Sequence, residues 1–358
     1  MLKKAAALFL VGASLSTWVG CGSTNSRYVY AAIPAANNII VYREDPNSGV
    51  LTELVGSPIS AGAAVQALAI HPSKKFLYAA NSGGSDVSLF TIGSDGLLTE
   101  GTSRTVVGTV PTLLAMDSAG TFLYVGDSGS MDVYVFSIDA SSGNLSPVGG
   151  SPFYIGVSPL NMKLSPSGSV LYVTASAGGG LPGYIEAFSV SGGVLTSVPG
   201  SPFQAGTTPQ GLTIDSTGAF LYTANAAPDN SISIFTIEAD GSLQPLSGSP
   251  IGETFTGPIA LLLDNSGKYL YVANEGSNNL GAYAVGSDGG LTLLTNSPFA
   301  TGTQPSLITS DPSGKFLFVG NQSSPVVQSF SLDPGTGTLT SVATYSVSGT
   351  PTSIAVTP

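Results

Sequence analysis

Residues that could carry chemistry are few in this sequence and widely spaced. His71 is the only histidine and Cys21 the only cysteine. A single residue of each type cannot form a His- or Cys-based metal cluster, so we expect no metal and no cofactor. His71 would be the first choice for a general base. However, the equivalent positions elsewhere in the chain carry residues typical of turns, which favours a turn role for His71: Asp117, Ser165, Asp215, Asp264 and Asp311.

Two further groups of polar residues could hold a ligand. Lys163 lies in an apolar run where related stretches have Ala, Leu or Thr, and it could pair with a carboxylate or attract an anion. Other apolar runs end in an Asx residue: Asn81, Asp127, Asn225, Asn274 and Asn321. We take Asn274, Asp127 and Asn225, together with Lys163, as candidate ligand-binding residues. The alternative for the Asx residues is that they close local loops by bonding to the backbone.

An array of repeats must position these residues. Aromatic anchors recur at intervals of 46 to 50 residues: Tyr30, Tyr78, Tyr124, Tyr172, Tyr222, Tyr271 and Phe318. This period is typical of four-stranded propeller blades. Each repeat divides into strands a, b, c and d, as in "PQGLTID", "AFLYTAN", "SISIFTIE" and "GSLQPLS". Strands b and c are almost continuously apolar, which indicates that both faces of each blade are buried.

The two ends of the chain predict how the ring closes. The first repeat begins at strand b, "RYVYAA", and the chain ends with a strand a, "PTSIAVTP", so the last strand should complete the first blade. We therefore predict a single all-β domain over 28–358, a seven-bladed propeller with four-stranded antiparallel blades. The recurrent "GSP" should end strand d, because Pro cannot donate to a sheet ladder. The b–c loops and d–a connectors should surround one channel mouth, where we expect a ligand, and the a–b turns should lie opposite.

The composition excludes several classes of protein. With 46 Gly and 24 Pro, the chain is unsuited to a helical bundle. Its formal net charge is −11, and its ten Lys and Arg residues are scattered, which argues against nucleic acid as a partner. We expect a monomer.

The N-terminus predicts export. Lys3 and Lys4 precede an apolar run too short to span a bilayer comfortably, which is typical of a signal peptide over residues 1–20. Cys21 follows a small residue, as in the lipobox of bacterial lipoproteins, and would become the acylated N-terminus. A short tether, 21–27, would then join an outer-membrane anchor to the propeller. The alternative is cleavage elsewhere, which leaves Cys21 as a free thiol.

The segment "NSGKYLYVANEGSNNLGAYAV" resembles the seven-bladed lactonase family, which includes bacterial 6-phosphogluconolactonase, and also the YVTN repeats of surface proteins. The resemblance extends over residues 28–358. It implies a catalytic Arg and His at the start of the strand a before "ANE", a His in an earlier blade, and an assisting Glu. Here Ile259, Ala260 and Thr112 occupy the first three positions, and only Glu275 matches. The resemblance therefore implies Glu275 as the one candidate catalytic residue.

Three functions follow as hypotheses. The first is a lipid-anchored, non-catalytic propeller that binds a small polar ligand, an envelope protein or a glycan on its channel face. The second is a lactone hydrolase of the 6-phosphogluconolactonase type with an altered site, in which Glu275 acts as the base. The third is an adhesion or structural module at the cell surface. Because one propeller architecture supports many functions, the fold alone does not choose among them.

Overall fold

Each repeat of the sequence forms one antiparallel sheet, and seven such sheets stand in a ring. The structure is a computed structural model that describes residues 26–177, 179, 181–252 and 254–358. In every sheet the strands lie in the order a, b, c, d, and strand a of each blade contacts strand a of the next around the whole ring. The predicted all-β, seven-bladed propeller is thus confirmed.

The four main strands of each blade follow the predicted order along the chain. Strands a to d of blade 1 are β34 (Ser353–Val356), β1 (Arg27–Ile33), β2 (Asn38–Glu44) and β3 (Leu51–Glu53), and those of blade 2 are β5 (Val65–Ile70), β6 (Phe76–Asn81), β7 (Asp86–Ile92) and β8 (Leu98–Glu100). Strands a to d of blade 3 are β10 (Pro111–Met116), β11 (Phe122–Asp127), β12 (Asp132–Ile138) and β13 (Leu145–Pro147), and those of blade 4 are β15 (Pro159–Leu164), β16 (Val170–Ala175), β17 (Pro182–Ser191) and β18 (Val194–Ser197). Strands a to d of blade 5 are β20 (Pro209–Ile214), β21 (Phe220–Asn225), β22 (Ser231–Ile237) and β23 (Leu243–Pro245). Those of blade 6 are β25 (Pro258–Leu263), β26 (Tyr269–Asn274), β27 (Asn279–Val285) and β28 (Leu291–Leu293), and those of blade 7 are β30 (Pro305–Ser310), β31 (Phe316–Asn321), β32 (Val326–Leu332) and β33 (Leu339–Ser346). A 3-10 turn, Pro34–Ala36, lies in the b–c loop of blade 1.

The C-terminal strand closes the ring as predicted. β34 pairs antiparallel with β1, with Val29 opposite Val356 and Ala32 opposite Ser353. The first blade therefore combines both ends of the chain, and its strand a is not left unpaired. β1 begins at Arg27, which pairs with Glu44 of β2.

Six of the seven blades have a fifth, short strand that the sequence did not predict. It pairs with the first half of strand c, beside strand d, and has these bounds in blades 1 to 6: β4 (Ile59–Ser60), β9 (Thr105–Val106), β14 (Phe153–Tyr154), β19 (Phe203–Thr207), β24 (Ile251–Gly252) and β29 (Phe299–Ala300). The chain thus returns along the outer edge before it crosses inward. Blade 7 has instead one long strand, β33, along the whole of β32.

The "GSP" motif occupies the gap between strand d and the fifth strand. In five blades the Ser hydroxyl accepts a hydrogen bond from a backbone N–H of strand c at 2.8–3.0 Å: Ser57, Ser151, Ser201, Ser249 and Ser297. The Ser–Pro peptide bond is cis in all five. The Ser side chain thus supplies the acceptor that the interrupted ladder lacks. The motif is structural, as predicted, but it continues the outer edge rather than ending it.

The core consists of seven apolar clusters, one at each interface between neighbouring blades. Strand b contributes to two of them. Tyr30, for example, packs towards blade 2, whereas Val29 and Ala31 pack towards blade 7. All seven aromatic anchors are fully buried. Burial on both faces explains why strand b is almost continuously apolar.

The predicted signal peptide, Cys21 and most of the tether lie outside the described residues, which begin at Ser26. Export and lipidation therefore stay predictions. In the part of the chain that the structure describes, no helix has the length and apolarity needed to cross a membrane.

Candidate functional site

A cleft of about 560 Å³ lies at the channel mouth formed by the b–c loops and the starts of strands a in blades 5 to 7. Its polar walls come from Thr208, Gln210, Asn230, Thr256, Glu275 and Gln304. Its apolar walls include Ala226, Ala227 and Ile259. These residues are distant in the sequence, and only the meeting of three blades brings them together.

Glu275 is placed in this cleft by the close approach of two backbone segments. Its N–H donates to the Gly257 carbonyl at 2.7 Å, and the Gly276 N–H donates to the Thr256 carbonyl at 3.0 Å. Gly257 has a φ of +68°, and a Cβ there would lie 2.8 Å from the Gly276 nitrogen. Only glycine permits this approach without strain. The Asn230 side chain fixes the same segment, because its Oδ1 accepts the Gly257 N–H at 2.8 Å.

The Glu275 carboxylate is half-buried and makes no hydrogen bond or ion pair to another described residue. Ile259 lines the cleft where the lactonase pattern has Arg, and Ala260 follows it. Thr112, in β10, does not line this cleft. The described walls contain no Lys, Arg or His, so the site has one free anionic group and no cation to bind an anionic substrate.

The Asx ring lies beneath the mouth rather than in it. Asn225 and Asn274 are fully buried at the ends of their strands. The Asn225 amide donates to Ser231 and Ser233, and the Asn274 amide donates to Asn279 at 3.0 Å. Both amides thus bond within their own blade, to side chains of strand c rather than to the loop backbone that the alternative interpretation named. Their burial gives no support to direct ligand contact.

Asp127 also has a structural role in blade 3. Its buried carboxylate accepts backbone N–H groups of Thr109, Val110, Gly129 and Ser130. Burial opposes ionisation, but the hydrogen bonds outweigh it and hold the pKa below the ordinary value. A carboxylate bonded in this way joins the d–a connector to the b–c loop and has little capacity left for a ligand.

Lys163 lies at the opposite end of the channel from Glu275. It lines a separate cavity next to Ser118, Ser165 and Pro166, which belong to a–b turns. The prediction that its charge faces the channel therefore agrees with the geometry. Lys163 does not share a site with the candidate residues of the mouth face, because it is the fifth residue of β15 and lies near the a–b turn end of that strand.

His71 has the predicted place in an a–b turn. It is 5% exposed, its Nδ1 accepts the Ser73 N–H at 3.0 Å, and its Nε2 lies 3.0 Å from the Gly120 carbonyl. A carbonyl can only accept, so the neutral tautomer with a proton on Nε2 satisfies both contacts. The imidazole joins blades 2 and 3 and does not reach the Glu275 cleft.

Gln210, Asn230 and Gln304 line the cleft but were not predicted from the sequence. Gln210 is the second residue of its strand a, the position that Ile259 has in blade 6. Blade 2 has Gln66 at the same position, so a comparison of the repeats identifies the position but does not single out Gln210. Asn230 directly precedes strand c, the position that Asn37 and Asn278 have in blades 1 and 6. In all three the Oδ1 accepts a backbone N–H of the next d–a connector, so this recurrent Asn is a signal that could have identified Asn230.

Comparison with known proteins agrees with this architecture. The family model described as "Lactonase, 7-bladed beta-propeller" matches residues 23–155, 151–258 and 249–356. The chain belongs to this lactonase family. The family assignment confirms the resemblance seen in the sequence, while Ile259 and Ala260 distinguish the mouth of this propeller from the pattern that the resemblance implies.

Solved structures show the same fold. A periplasmic gluconolactonase from Pseudomonas aeruginosa has a TM-score of 0.79 at 20% identity, over 93% of this chain and 99% of that one. A candidate 6-phosphogluconolactonase from Bacteroides fragilis NCTC 9343 has a TM-score of 0.80 at 21% identity, over 93% and 98%. A protein from Lactobacillus plantarum has a TM-score of 0.79 at 20% identity, over 92% and 99%. No curated protein matches the chain.

Proposed function

We propose that this lactonase-family propeller is an exported, lipid-anchored protein whose mouth cleft binds a small, polar, uncharged ligand such as a glycan fragment. The composition of the cleft carries this proposal. Its walls provide amide and hydroxyl groups and a single free carboxylate, Glu275, beside apolar Ile259. Such a surface can accept hydrogen bonds from sugar hydroxyls, whereas an anionic substrate would meet Glu275 without a compensating cation.

The position of the N-terminus would leave this cleft accessible to a ligand if the protein is anchored in a membrane. Arg27 begins β1 at the a–b turn face, where its Nη1 lies 2.6 Å from the Asp311 carboxylate. Glu275 lies at the other end of the strands. A lipid on Cys21, at the end of a short tether, would therefore hold the a–b turn face towards the membrane. The mouth cleft would then face away from it.

The test is binding of neutral envelope glycan fragments to the purified soluble domain, measured by isothermal titration calorimetry. We expect saturable binding that weakens about tenfold or more in Glu275→Gln, because a charge-assisted hydrogen bond contributes about 1.5–3 kcal/mol. The control is Glu238→Gln, which changes an exposed glutamate beyond strand c at the opposite face. Equal affinity in wild type and Glu275→Gln would contradict the assignment of the cleft.

Lactone hydrolysis is the second candidate, and the unpaired carboxylate of Glu275 favours it. As a general base, Glu275 would take a proton from water while the water oxygen bonds to the lactone carbonyl carbon. The ring C–O bond then breaks, and the proton passes to the departing alkoxide. A neutral gluconolactone suits the cleft better than a phosphorylated one, because the described walls lack a cation.

Hydrolysis of glucono-1,5-lactone and 6-phosphogluconolactone by wild type, Glu275→Gln and Glu238→Gln tests this candidate. We expect the neutral lactone to be hydrolysed faster than in buffer, with the excess rate lost only in Glu275→Gln. If all three proteins give the spontaneous rate, the cleft is a binding site and not a catalytic one.

A further inference from the structure

A cavity of about 480 Å³ lies in the axial channel, at the end of the ring opposite Glu275. Its walls come from the innermost strands of blades 3, 4 and 5, namely β10, β15 and β20, and from the a–b turns of blades 3 and 4. The volume lies within the range of about 300–1,000 Å³ that small-molecule pockets span. Lys163, near the end of β15, is the only charged residue in the described wall.

The ammonium group of Lys163 has no ionic partner in the described part of the chain. All ion pairs there involve Arg27 or Arg104. The a–b turns of the two neighbouring blades carry the carboxylates of Asp117 and Asp215, and each accepts a backbone N–H at 2.6 Å. Lys163 therefore faces the cavity as an uncompensated cation.

The surroundings of Lys163 disfavour an unpaired positive charge on its amine. Its side chain is open to the channel, yet protein surrounds it on the other sides, and this burial lowers the pKa of its amine. A cation that protein partly shields from water is stabilised either by losing its charge or by gaining a counter-ion. A bound anion would supply the missing charge.

The remaining wall residues indicate which kind of anion fits. Leu114, Met116 and Leu212 are apolar, whereas Ser118 carries a hydroxyl that makes no hydrogen bond to another described residue. The Asn161 amide is already used, because it donates to the Gln210 carbonyl at 3.0 Å. The Ser165 hydroxyl is also used, because it accepts the Val170 N–H at 3.1 Å. One cation and one unused hydroxyl suit a single carboxylate, and the apolar wall suits a hydrocarbon body. A dianion such as phosphate would find only one compensating charge.

We propose that the channel cavity around Lys163 binds a small organic monocarboxylate, with the Lys163 ammonium as its ion partner and the apolar side chains of strands a around its body. This site is separate from the mouth cleft and does not depend on the function proposed for Glu275. The other innermost strands have Ala, Leu or Thr at the position of Lys163, so the site belongs to blade 4 alone: Ala69, Ala115, Thr213, Leu262, Thr309 and Ala355.

Nuclear magnetic resonance of lysine-labelled protein tests this site directly, with benzoate as the probe. The described chain has few lysines, which makes assignment by single variants practical: Lys74, Lys75, Lys163, Lys268 and Lys315. We expect benzoate to shift the Lys163 signal saturably and to raise the pKa of its amine, because the carboxylate binds the protonated form. Neutral benzamide should cause neither effect, and inorganic phosphate should bind more weakly than benzoate.

Variants separate an ion-pair site from an unspecific cavity. Lys163→Met should weaken benzoate binding about tenfold or more, whereas Lys163→Arg, which keeps the charge, should retain most of it. Lys268→Met, at an exposed a–b turn, and Glu275→Gln, in the mouth cleft, should bind benzoate as wild type does. The proposal is overturned if benzoate leaves the Lys163 signal unchanged, if benzamide binds equally, or if folded Lys163→Met binds benzoate with unchanged affinity.

Discussion

The aromatic anchors of strand b make a contact between blades that can be tested by removing single hydroxyl groups. Five anchor tyrosines donate to the carbonyl of a glycine in the c–d turn of the next blade at 2.7–3.0 Å: Tyr30, Tyr78, Tyr172, Tyr222 and Tyr271. Tyr124 is equally buried, but its hydroxyl has no hydrogen-bond partner in the described chain. The reason is the c–d turn of blade 4, which Gly192 and Gly193 make shorter than the others.

These neighbouring anchors form a matched pair. Tyr172→Phe removes the 2.9 Å bond to Gly241 and leaves a buried carbonyl unpaired, so we expect the free energy of unfolding to fall by about 1–2 kcal/mol. Tyr124→Phe removes a hydroxyl that burial has already separated from water. We therefore expect no loss, or a gain of up to about 1 kcal/mol. The two variants delete the same atom at the same level of burial, and only the partner differs.

Urea denaturation followed by tyrosine fluorescence measures both changes, provided that the transition midpoints shift without a change in slope. We expect the midpoint of Tyr172→Phe to lie below that of wild type and the midpoint of Tyr124→Phe to equal or exceed it. Equal losses in the two variants would refute the reasoning. Packing of the aromatic ring, rather than the hydrogen bond to the glycine carbonyl, would then hold neighbouring blades together.

Two further predictions concern buried carboxylates. At the junction of blades 7 and 1, burial and the Asp311 carboxylate raise the pKa of Glu44 to about 7, with Arg27 acting in the opposite sense. The folded pKa of Glu44 thus exceeds the unfolded value of 4.5, so the free energy of unfolding should fall by about 3 kcal/mol at most as the pH rises from 4.5 to beyond 7. Urea titrations at pH 5 and 8 measure this dependence, and Glu44→Gln should lose it. An unchanged dependence in Glu44→Gln would exclude Glu44 as its source. In blade 3, Asp127→Ala leaves several backbone N–H groups unpaired and should lower the free energy of unfolding by about 3 kcal/mol at neutral pH. Since the pKa of Asp127 is lowered from 3.8, the part of its contribution that depends on the charge should decrease as the pH falls below 3.8. An equal loss in Asp127→Ala at all pH values would contradict the role of the carboxylate charge.

The fold was largely predictable because each anchor residue must be buried between two blades. Tyr222, for instance, is apolar enough to pack against blade 6 and recurs at a spacing that only a repeated sheet explains. Ring closure followed from the strand order at the two termini. The fifth strand was not predictable in the same way, because a strand of two residues such as Ile251–Gly252 has no hydrophobic pattern of its own.

The candidate site was only partly predictable. Glu275 was found because it ends a recognisable segment, and the structure places it in a cleft. Asn274, one residue earlier, is also polar but fully buried, because it ends β26 within the sheet, whereas Glu275 is the first residue of the b–c loop. Gln304 reaches the cleft from the next blade, and nothing in its local sequence indicates this. The local sequence pattern therefore identified the b–c loops, but which of their residues line the cleft depends on how three blades meet.

The scaffold and the chemistry of this propeller are encoded at different positions of the repeat. The ring depends on residues such as Tyr271 in strand b, which is fully buried between two blades. The mouth depends on the second residue of strand a, as at Ile259, and on the b–c loop. Ile259, where the lactonase pattern has Arg, belongs to none of the seven apolar clusters between blades. Family membership therefore follows from strand b over the whole chain, whereas the ligand must be inferred from the few residues around Glu275.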